Sequence, residues 1–453
     1  MGHPTTARTR AAARVGIVAG VLLAAAVAGP VRPASACPWD YDTLVDETVW
    51  FPGVIDVLAG AYVRHSDLWY AWRARDRERR LGIVDASSAR GVAAGDVAAI
   101  VAPTAPADLA TRLRWMDDLV IAYDHLERHD EAVATARAAL ALDPARYESR
   151  SNLGVALVHA GRGEEGIASL RAALEVNAEG HFGRMRTAIE VLEYVEAHRV
   201  DGAVTLPLFP GRTGCRAPEI GLAAYLAGRR TPEGETVVPL SRIEREQAAE
   251  VVVGMIFTGR PDDPALLECL GHLLADPDRD WDTWGDAANL AARAFLAAAR
   301  VAPGADVRDR YRALARQVLA SQRARDEDGR DDVVSLARVE AEFDDERALG
   351  DASFAEIRAD EARFLASSAD PEAAFRAKYA GVDVAGFNRV PAATTPTVRP
   401  TRRGPEPVPA RTPPIPALGV TAILVATATI TGWLSGRRRP APRGPRRARS
   451  AGR

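Results

Sequence analysis

The stretch that decides the fold is "RWMDDLVIAYDHLERHDEAVATARAALALDP", residues 114–144, followed by "ESRSNLGVALVHAGRGEEGIASLRAALEVNA", residues 148–178. Each stretch carries two runs of apolar residues at the three- and four-residue spacing of an amphipathic helix. The two stretches align at one constant offset, and the sequence therefore predicts two consecutive helix pairs, in blocks 113–146 and 147–180. The matching positions are Leu119 and Leu153, Tyr123 and Leu157, Ala132 and Gly166, Ala136 and Leu170, and Ala139 and Ala173.

The residue types at these positions indicate how each pair would pack. Tyr123 and Leu157 are large enough to fill the space between two helices, whereas Ala132 and Gly166 allow the second helix to approach the first closely. This pattern, with its constant offset, resembles the tetratricopeptide repeat (TPR) family. The resemblance implies a solenoid of stacked helix pairs whose first helices line a concave groove for an extended peptide.

A weaker block of the same kind lies at 264–303, and Leu270, Gly271, Ala291 and Phe295 are among its matching positions. Other amphipathic stretches are predicted to stack on the repeats, because two helix pairs alone bury too little surface for stability. The fold class expected is all-α, a TPR-like solenoid with flanking helices. The flanking stretches are 184–199, 307–325, 333–349, 352–368 and 371–380.

Composition changes along the chain predict eight segments. A signal peptide is followed by an aromatic-rich helical cap, TPR-like repeats, a Gly/Pro-rich insertion, a C-terminal helical domain, a Pro-rich stalk, a transmembrane helix and a basic tail. Their ranges, in that order, are 1–36, 37–106, 107–200, 201–241, 242–389, 390–414, 415–434 and 435–453. In the cap, "SDLWYAWRARDRERRL" predicts a helix opened by Ser66 as N-cap with Asp67 in its first turn.

Both ends of the chain indicate export and membrane tethering. Arginines precede the apolar run 15–29, and Ala34-Ser35-Ala36 forms a small-residue cleavage site. The uncharged segment 415–434 has the length of a membrane span, and the tail after it contains eight arginines and no acid. We therefore expect a single-pass protein with an extracytoplasmic body and a cytoplasmic tail.

The distribution of charge argues against nucleic acid as a partner. Residues 1–36 carry +4 and residues 398–453 carry +11, so a total of −3 leaves −18 on residues 37–397. An acidic body repels a phosphate backbone. The predicted partners are the membrane and a basic or neutral protein segment.

The TPR resemblance assigns a candidate peptide groove by position. The alternative is that these residues only form solvated helix faces. Asn152 is of the type that the family often uses to hold a peptide backbone. The complete set is Arg114, Asp117, Asp118, Ile121, Asp124, His125, Glu148, Ser151, Asn152, Val155, His159 and Arg186.

No motif for a cofactor, a metal or a catalytic nucleophile is found, so no cofactor, no metal and no enzymatic activity are predicted. His125 and His129 are four residues apart but flank a predicted turn without further ligands. The alternating acids of "DPDRDWD", residues 276–282, lack the glycine and glutamate of a calcium loop, and both a weak calcium site and a solvated turn stay open.

Three cysteines in an oxidising compartment leave one pair and one odd residue. The candidate disulfide joins Cys215 and Cys269, and Cys37 is then free or lipidated. Ordinary cleavage before Cys37 is favoured over lipidation, because Ala34 is small where lipoproteins carry a large aliphatic residue. Pairing of Cys37 with either of the other two cysteines also stays open.

These features together favour an exported, membrane-tethered protein that mediates protein–protein interaction or scaffolding at a bacterial cell envelope. Two alternatives belong to other functional classes. One is an envelope enzyme whose site carries no recognisable motif, and the other is a glycan- or solute-binding protein that uses the aromatic N-terminal region.

Overall fold

A computed structural model describes residues 52–83, 108–181, 183–209, 221–275, 287–320, 323–325 and 331–379. In this part of the chain the protein is all-α, as the sequence predicts. Its strands are limited to two short antiparallel pairs, β1 (Arg199–Val200) with β2 (Ala203–Val204) and β3 (Arg323–Arg325) with β4 (Asp331–Val333).

The helices of the two repeated blocks are confirmed, together with the helix that follows them. They are α3 (Leu109–His125), α4 (His129–Leu142), α5 (Tyr147–His159), α6 (Gly163–Val176) and α7 (Met185–Glu196). The first residues of α4 and α6 are separated by the same number of residues as their last residues. The last residues of α3 and α5 are separated by that number too. Local structure thus repeats at the period of the sequence.

The small residues of the second block lie where its two helices touch. A Cβ atom added to Gly166 would lie 2.6 Å from the carbonyl oxygen of Gly154, and one added to Gly154 would lie 2.6 Å from Leu170 Cγ. In the first block Ala132 and Ala136 are completely buried. Close approach of the second helix to the first is therefore the reason for small residues at these positions.

The next helices continue the same core. They are α8 (Gly221–Arg230), α9 (Arg242–Thr258), α10 (Pro264–Leu274), α11 (Ala287–Val301) and α12 (Ala305–Leu319). The pair α10 and α11 is the weaker third block, and a Cβ atom on Gly271 would lie 2.6 Å from the Phe295 ring. One hydrophobic cluster contains residues of α5 to α12, so the described helices on either side of the insertion share one core.

Buried Glu268 on α10 connects three parts of this core. Its carboxylate accepts hydrogen bonds from the backbone N–H groups of Leu208 and Phe209, at 2.8 and 2.9 Å, and from Tyr311 Oη at 2.8 Å. Burial, with the neighbouring Glu268 carboxylate, holds the pKa of Tyr311 well above its usual value, which keeps the phenol a donor. The backbone at Leu208 and Phe209 is therefore held to the helical core by this carboxylate.

The N-terminal and C-terminal helices pack against each other. They are α1 (Val54–Ala59), α2 (Asp67–Leu81), α13 (Leu336–Ser367) and α14 (Pro371–Tyr379). The long α13 contacts α1, α2, α11 and α12, and α2 packs on α3. The two stretches 333–349 and 352–368, predicted as separate, belong to the single helix α13. Gly350, which lies between them, packs against the carbonyl oxygen of Ala59.

The predicted helix at Ser66 is confirmed, but its N-cap works differently. Ser66 has the extended backbone of an N-cap, yet its hydroxyl accepts no hydrogen bond from the N–H groups of its own helix and instead donates to Glu361 on α13. Trp69 is 1% exposed and packs with Ile357, Phe375 and Tyr379. These contacts support the packing role predicted for the aromatic N-terminal region in its described part.

Several expectations concern segments outside the described residues. They include the signal peptide, Cys37, Cys215, the acidic turn 276–282, the stalk, the transmembrane segment and the basic tail. Among the helices that the structure describes, none is both long enough and apolar enough to cross a bilayer. Cys269 is buried in α10, and its pairing with Cys215 stays a prediction.

Candidate functional site

Most of the predicted groove residues are covered by other parts of the chain. Arg114 and Arg186 are exposed, and Glu148 and His125 are half-buried. The remaining eight residues are buried, namely Asp117, Asp118, Ile121, Asp124, Ser151, Asn152, Val155 and His159. Sequence reasoning missed the cause of this burial, which includes the packing of α2 on α3.

The buried acids of α3 have partners within the protein. Asp118 accepts a hydrogen bond from Arg77 Nε of α2 at 2.8 Å. Asp117 accepts hydrogen bonds from Arg146 Nε at 2.8 Å and from Ser149 Oγ at 2.7 Å. Burial raises the pKa of Asp117 to about 6, against the opposing effect of Arg146. These two carboxylates link α3 to other parts of the chain, and both accept hydrogen bonds from within the protein.

Three of the predicted residues, Asp124, His125 and His159, come together at a cavity of about 600 Å³. They lie at the C-terminal ends of α3 and α5. His125 and His159 occupy equivalent positions in the two blocks, since each is the last residue of its helix. The other walls come from the segment between α1 and α2, the first turn of α2, the turn after α3, the end of α9 with the loop that follows it, and Phe354 of α13.

Asp124 is the centre of a hydrogen-bonded cluster on this wall. Its Oδ1 lies 2.9 Å from His129 Nδ1, and its Oδ2 lies 2.7 Å from His159 Nδ1. Burial alone would raise the pKa of Asp124, but the charge of His159 and the two hydrogen bonds outweigh it and hold that pKa well below its usual range. The carboxylate is therefore ionised and orients both imidazole rings.

An arginine from the loop between α9 and α10 contacts the same cluster. Arg260 Nη2 lies 3.3 Å from His129 Nε2, and Arg260 Nη1 lies 3.7 Å from Glu127 Oε1. Because a guanidinium only donates, His129 Nε2 is the acceptor in this contact, and the proton of a neutral ring is on Nδ1, where it points to Asp124. Arg260 therefore selects the tautomer of His129.

A second histidine–carboxylate pair borders the cavity. His65 Nδ1 lies 2.9 Å from Glu361 Oε1, and the backbone N–H of Ser66 lies 3.3 Å from each carboxylate oxygen of Glu361. Burial raises the pKa of Glu361 to about 7, although the hydrogen bonds from Ser66 oppose the change. Burial, together with the charge of Arg73, lowers the pKa of His65 well below its usual value. The protein interior thus disfavours the charged form of both groups.

Aromatic rings form much of the remaining wall. His125 stacks on Tyr70 with ring centroids 3.9 Å apart and planes inclined by 6°. Burial lowers the pKa of His125 to about 4, although Asp124 opposes the change, so this ring is neutral near pH 7. The Arg64 guanidinium lies over the rings of Tyr62 and Phe354, 4.8 and 4.0 Å from their centroids. Phe257 meets Tyr62 edge-on.

The charged groups on the wall are mostly acidic. The carboxylates of Asp67, Asp124, Glu127 and Asp262 outnumber the guanidinium groups of Arg64 and Arg260. Aromatic faces attract cations in addition to this charge. The cavity is therefore chemically suited to a cationic or amphipathic ligand, and its oriented imidazoles offer hydrogen bonds.

No protein-family model matches the chain, and neither curated proteins nor solved structures give a significant match. The resemblance to the TPR family therefore rests on the residues of the two helix pairs. The equivalent spacing of His125 and His159 was the sequence signal for part of the cavity. No pattern in the sequence indicated Arg260 or Glu361, which come from distant elements.

Proposed function

We propose that this chain is a TPR-like, membrane-tethered binding protein of the cell envelope that holds a segment of a partner protein at the cavity. The observation that carries the proposal is the convergence of Asp124, His125 and His159 from equivalent helix ends on one open cavity. Pockets that combine apolar walls with a few fixed polar groups are where proteins usually bind ligands. The predicted export signal and the apolar segment 415–434 support the location.

The charge of the wall supports a specific feature of the partner. Four acids against two arginines favour a basic side chain, lysine or arginine. The body of the chain is acidic as a whole, which would also attract a basic segment. The proposed binding site is therefore the cavity at the C-terminal ends of α3 and α5, and not an extended groove along these helices.

The test uses the full-length protein and four fluorescein-labelled peptides that differ only in a central Arg, Lys, Gln or Glu. We expect the Arg and Lys peptides to bind about tenfold more tightly than the Gln peptide, since one favourable charge contact of about 1.4 kcal/mol changes affinity by that factor. The Glu peptide should bind most weakly. Fluorescence anisotropy gives each Kd.

Matched variants locate the site. Asp67→Asn with Asp262→Asn removes two acids from the wall and should abolish the preference for Arg over Gln. Glu164→Gln, an exposed acid in the first turn of α6, is the control and should leave the preference intact. Equal binding of all four peptides, or a preference that survives in the double variant, would contradict the proposal.

A second candidate function is catalysis in the same cavity. Two histidines on its wall, His65 and His159, are each oriented through Nδ1 by a carboxylate, the arrangement used by general bases. Chromogenic acyl esters and phosphate esters test this function with the full-length protein. Turnover that disappears in His65→Gln or in His159→Gln but persists in the control His198→Gln would favour an enzyme. Turnover unaffected by the first two changes would exclude these histidines as its source.

A further inference from the structure

Asp124, His129 and His159 place three potential metal ligands at one point. One ligand atom from each residue lies within 4.8 Å of the other two. The three residues come from the last turn of α3, the first residue of α4 and the last residue of α5. The turns of the repeated helix pairs therefore hold these three ligands in place. The ligand set consists of two imidazoles and one carboxylate.

We propose that these three side chains bind a divalent transition-metal ion, with zinc as the ion best suited to the donors. Two imidazole nitrogens and one carboxylate oxygen are a common ligand set for zinc, whereas magnesium and calcium prefer oxygen donors alone. Asp124 and His159 are each 4% exposed, so their contact with a cation would be shielded from competing water. The site goes beyond the proposed binding function, which requires no metal.

The present geometry is close to the one that a metal requires. The two Nδ1 atoms lie 2.9 and 2.7 Å from the Asp124 oxygens. Donor atoms bound tetrahedrally at about 2.0–2.1 Å from zinc are separated by roughly 3.3 Å, so each of these two histidine–Asp124 contacts needs to open by only about half an ångström. The ion would take the place of the proton on each Nδ1 atom. In a neutral imidazole that proton moves to Nε2, and an imidazolium releases it to solvent.

Arg260 competes with the metal for His129. When Nδ1 of His129 binds the ion, Nε2 carries the proton and becomes a donor, so the Arg260 guanidinium 3.3 Å away can no longer donate to it. The positive charge of Arg260 also opposes a nearby cation. Metal binding therefore displaces the loop between α9 and α10, which forms part of the cavity wall.

Cobalt(II) titration of the full-length protein, carrying no polyhistidine tag and freed of metal with a chelator, tests the site. We expect one equivalent of Co²⁺ to produce visible d–d absorption, and Zn²⁺ to abolish it. His129→Ala should weaken Co²⁺ binding at least about 100-fold, since losing a ligand costs more than losing a group that orients one. His129 is half-buried at a helix start, so the fold should tolerate this change.

Two further variants separate a metal site from a hydrogen-bonded cluster. Arg260→Gln should bind Co²⁺ at least several-fold more tightly than wild type, because the competing cation is removed. His198→Ala, a histidine whose Nδ1 contacts the Tyr194 carbonyl oxygen, should bind like wild type. The proposal is overturned by absent absorption in wild type, by wild-type affinity in His129→Ala, or by an Arg260→Gln variant that binds no more tightly.

Discussion

Asp124 illustrates how single buried acids organise this protein. It is 4% exposed and accepts hydrogen bonds from two histidines that belong to different helices. Asp117 and Glu268 act in the same way with an arginine and with backbone N–H groups. A buried carboxylate is costly unless every oxygen has a donor, and each donor here comes from another element. These acids therefore specify which elements lie together.

His181 permits a prediction about pH at the scale of one residue. Its Nε2 lies 3.1 Å from Ser151 Oγ, and its φ of 51° is left-handed. Burial, with a smaller effect of Arg184, lowers the pKa of His181 to about 3. Between that value and about 6.5, the unfolded chain binds a proton that the folded chain does not. His181 therefore contributes stability near pH 7 that is lost as the pH falls through this window.

We expect His181→Asn to flatten the dependence of unfolding free energy on pH. The slope between pH 4 and 6 should fall by up to about 1.4 kcal/mol per pH unit, the value for one proton. Asparagine tolerates the left-handed backbone, so folding should persist. Urea unfolding followed by tryptophan fluorescence measures the slope. Ser151→Ala, which leaves the buried imidazole in place, should keep the wild-type slope, and a flattened slope in that control would refute the assignment.

At the scale of elements, the repeated helix pairs were predictable because their causes are local. The apolar period and the small residues at 132 and 166 specify α3 to α6, and the same pattern anticipates the contact of Gly271 with Phe295. The covering of α3 by α2 was not predictable from the same pattern. It includes the contact of Arg77 with Asp118 across 41 residues, and single charged residues on a helix do not reveal their partners.

Gly166 provides the test of close helix packing. Alanine would gain up to about 1 kcal/mol of helix propensity, but its Cβ would lie 2.6 Å from the Gly154 carbonyl oxygen, which the helix backbone cannot move. We expect Gly166→Ala to lower the unfolding free energy by about 1–3 kcal/mol, as overpacked cores do. Urea denaturation measures it.

The matched control is Gly163 of the same helix. The atoms nearest to a Cβ atom there belong to the carboxylate end of Glu196, which can rotate away from its contact with Arg199. Gly163→Ala should therefore destabilise the protein less than Gly166→Ala, because the end of a side chain rotates away more easily than a helix backbone shifts. Equal effects of the two substitutions would show that helix contact is not what requires glycine at position 166.

At the scale of the whole described structure, α13 joins the beginning of the chain to its later helices. Its buried residues Val339, Phe343, Gly350 and Ile357 lie on one face, at spacings of four and seven. Arg293 of α11 contacts Glu346 through two nitrogens, each 2.9 Å from a carboxylate oxygen, and His65 contacts Glu361 near the other end. Long-range pairings of this kind leave no periodic signal in a sequence. The cavity, which needs Phe354 of α13, was therefore only partly predictable.

Gly350 lies where α13 packs against the end of α1, so a substitution at this position tests that packing. An added Cβ would meet the carbonyl oxygen of Ala59 and lie 2.9 Å from its carbonyl carbon, so either α1 or α13 has to shift. We expect Gly350→Ala to destabilise the protein by about 1–3 kcal/mol. Trypsin should cut faster after Arg347 and Arg358, which flank the contact.

The same substitution should reach the cavity, because Phe354 lies one helical turn beyond Gly350 and borders it. The affinity for the arginine peptide should fall together with stability. Gly228→Ala in α8 is the control, since no atom lies within 4 Å of its added Cβ, and it should leave both proteolysis and binding unchanged. If Gly350→Ala accelerates cleavage but binds the peptide like wild type, the cavity does not depend on the docking of α13, and the binding site has to be sought on α3 and α5 alone.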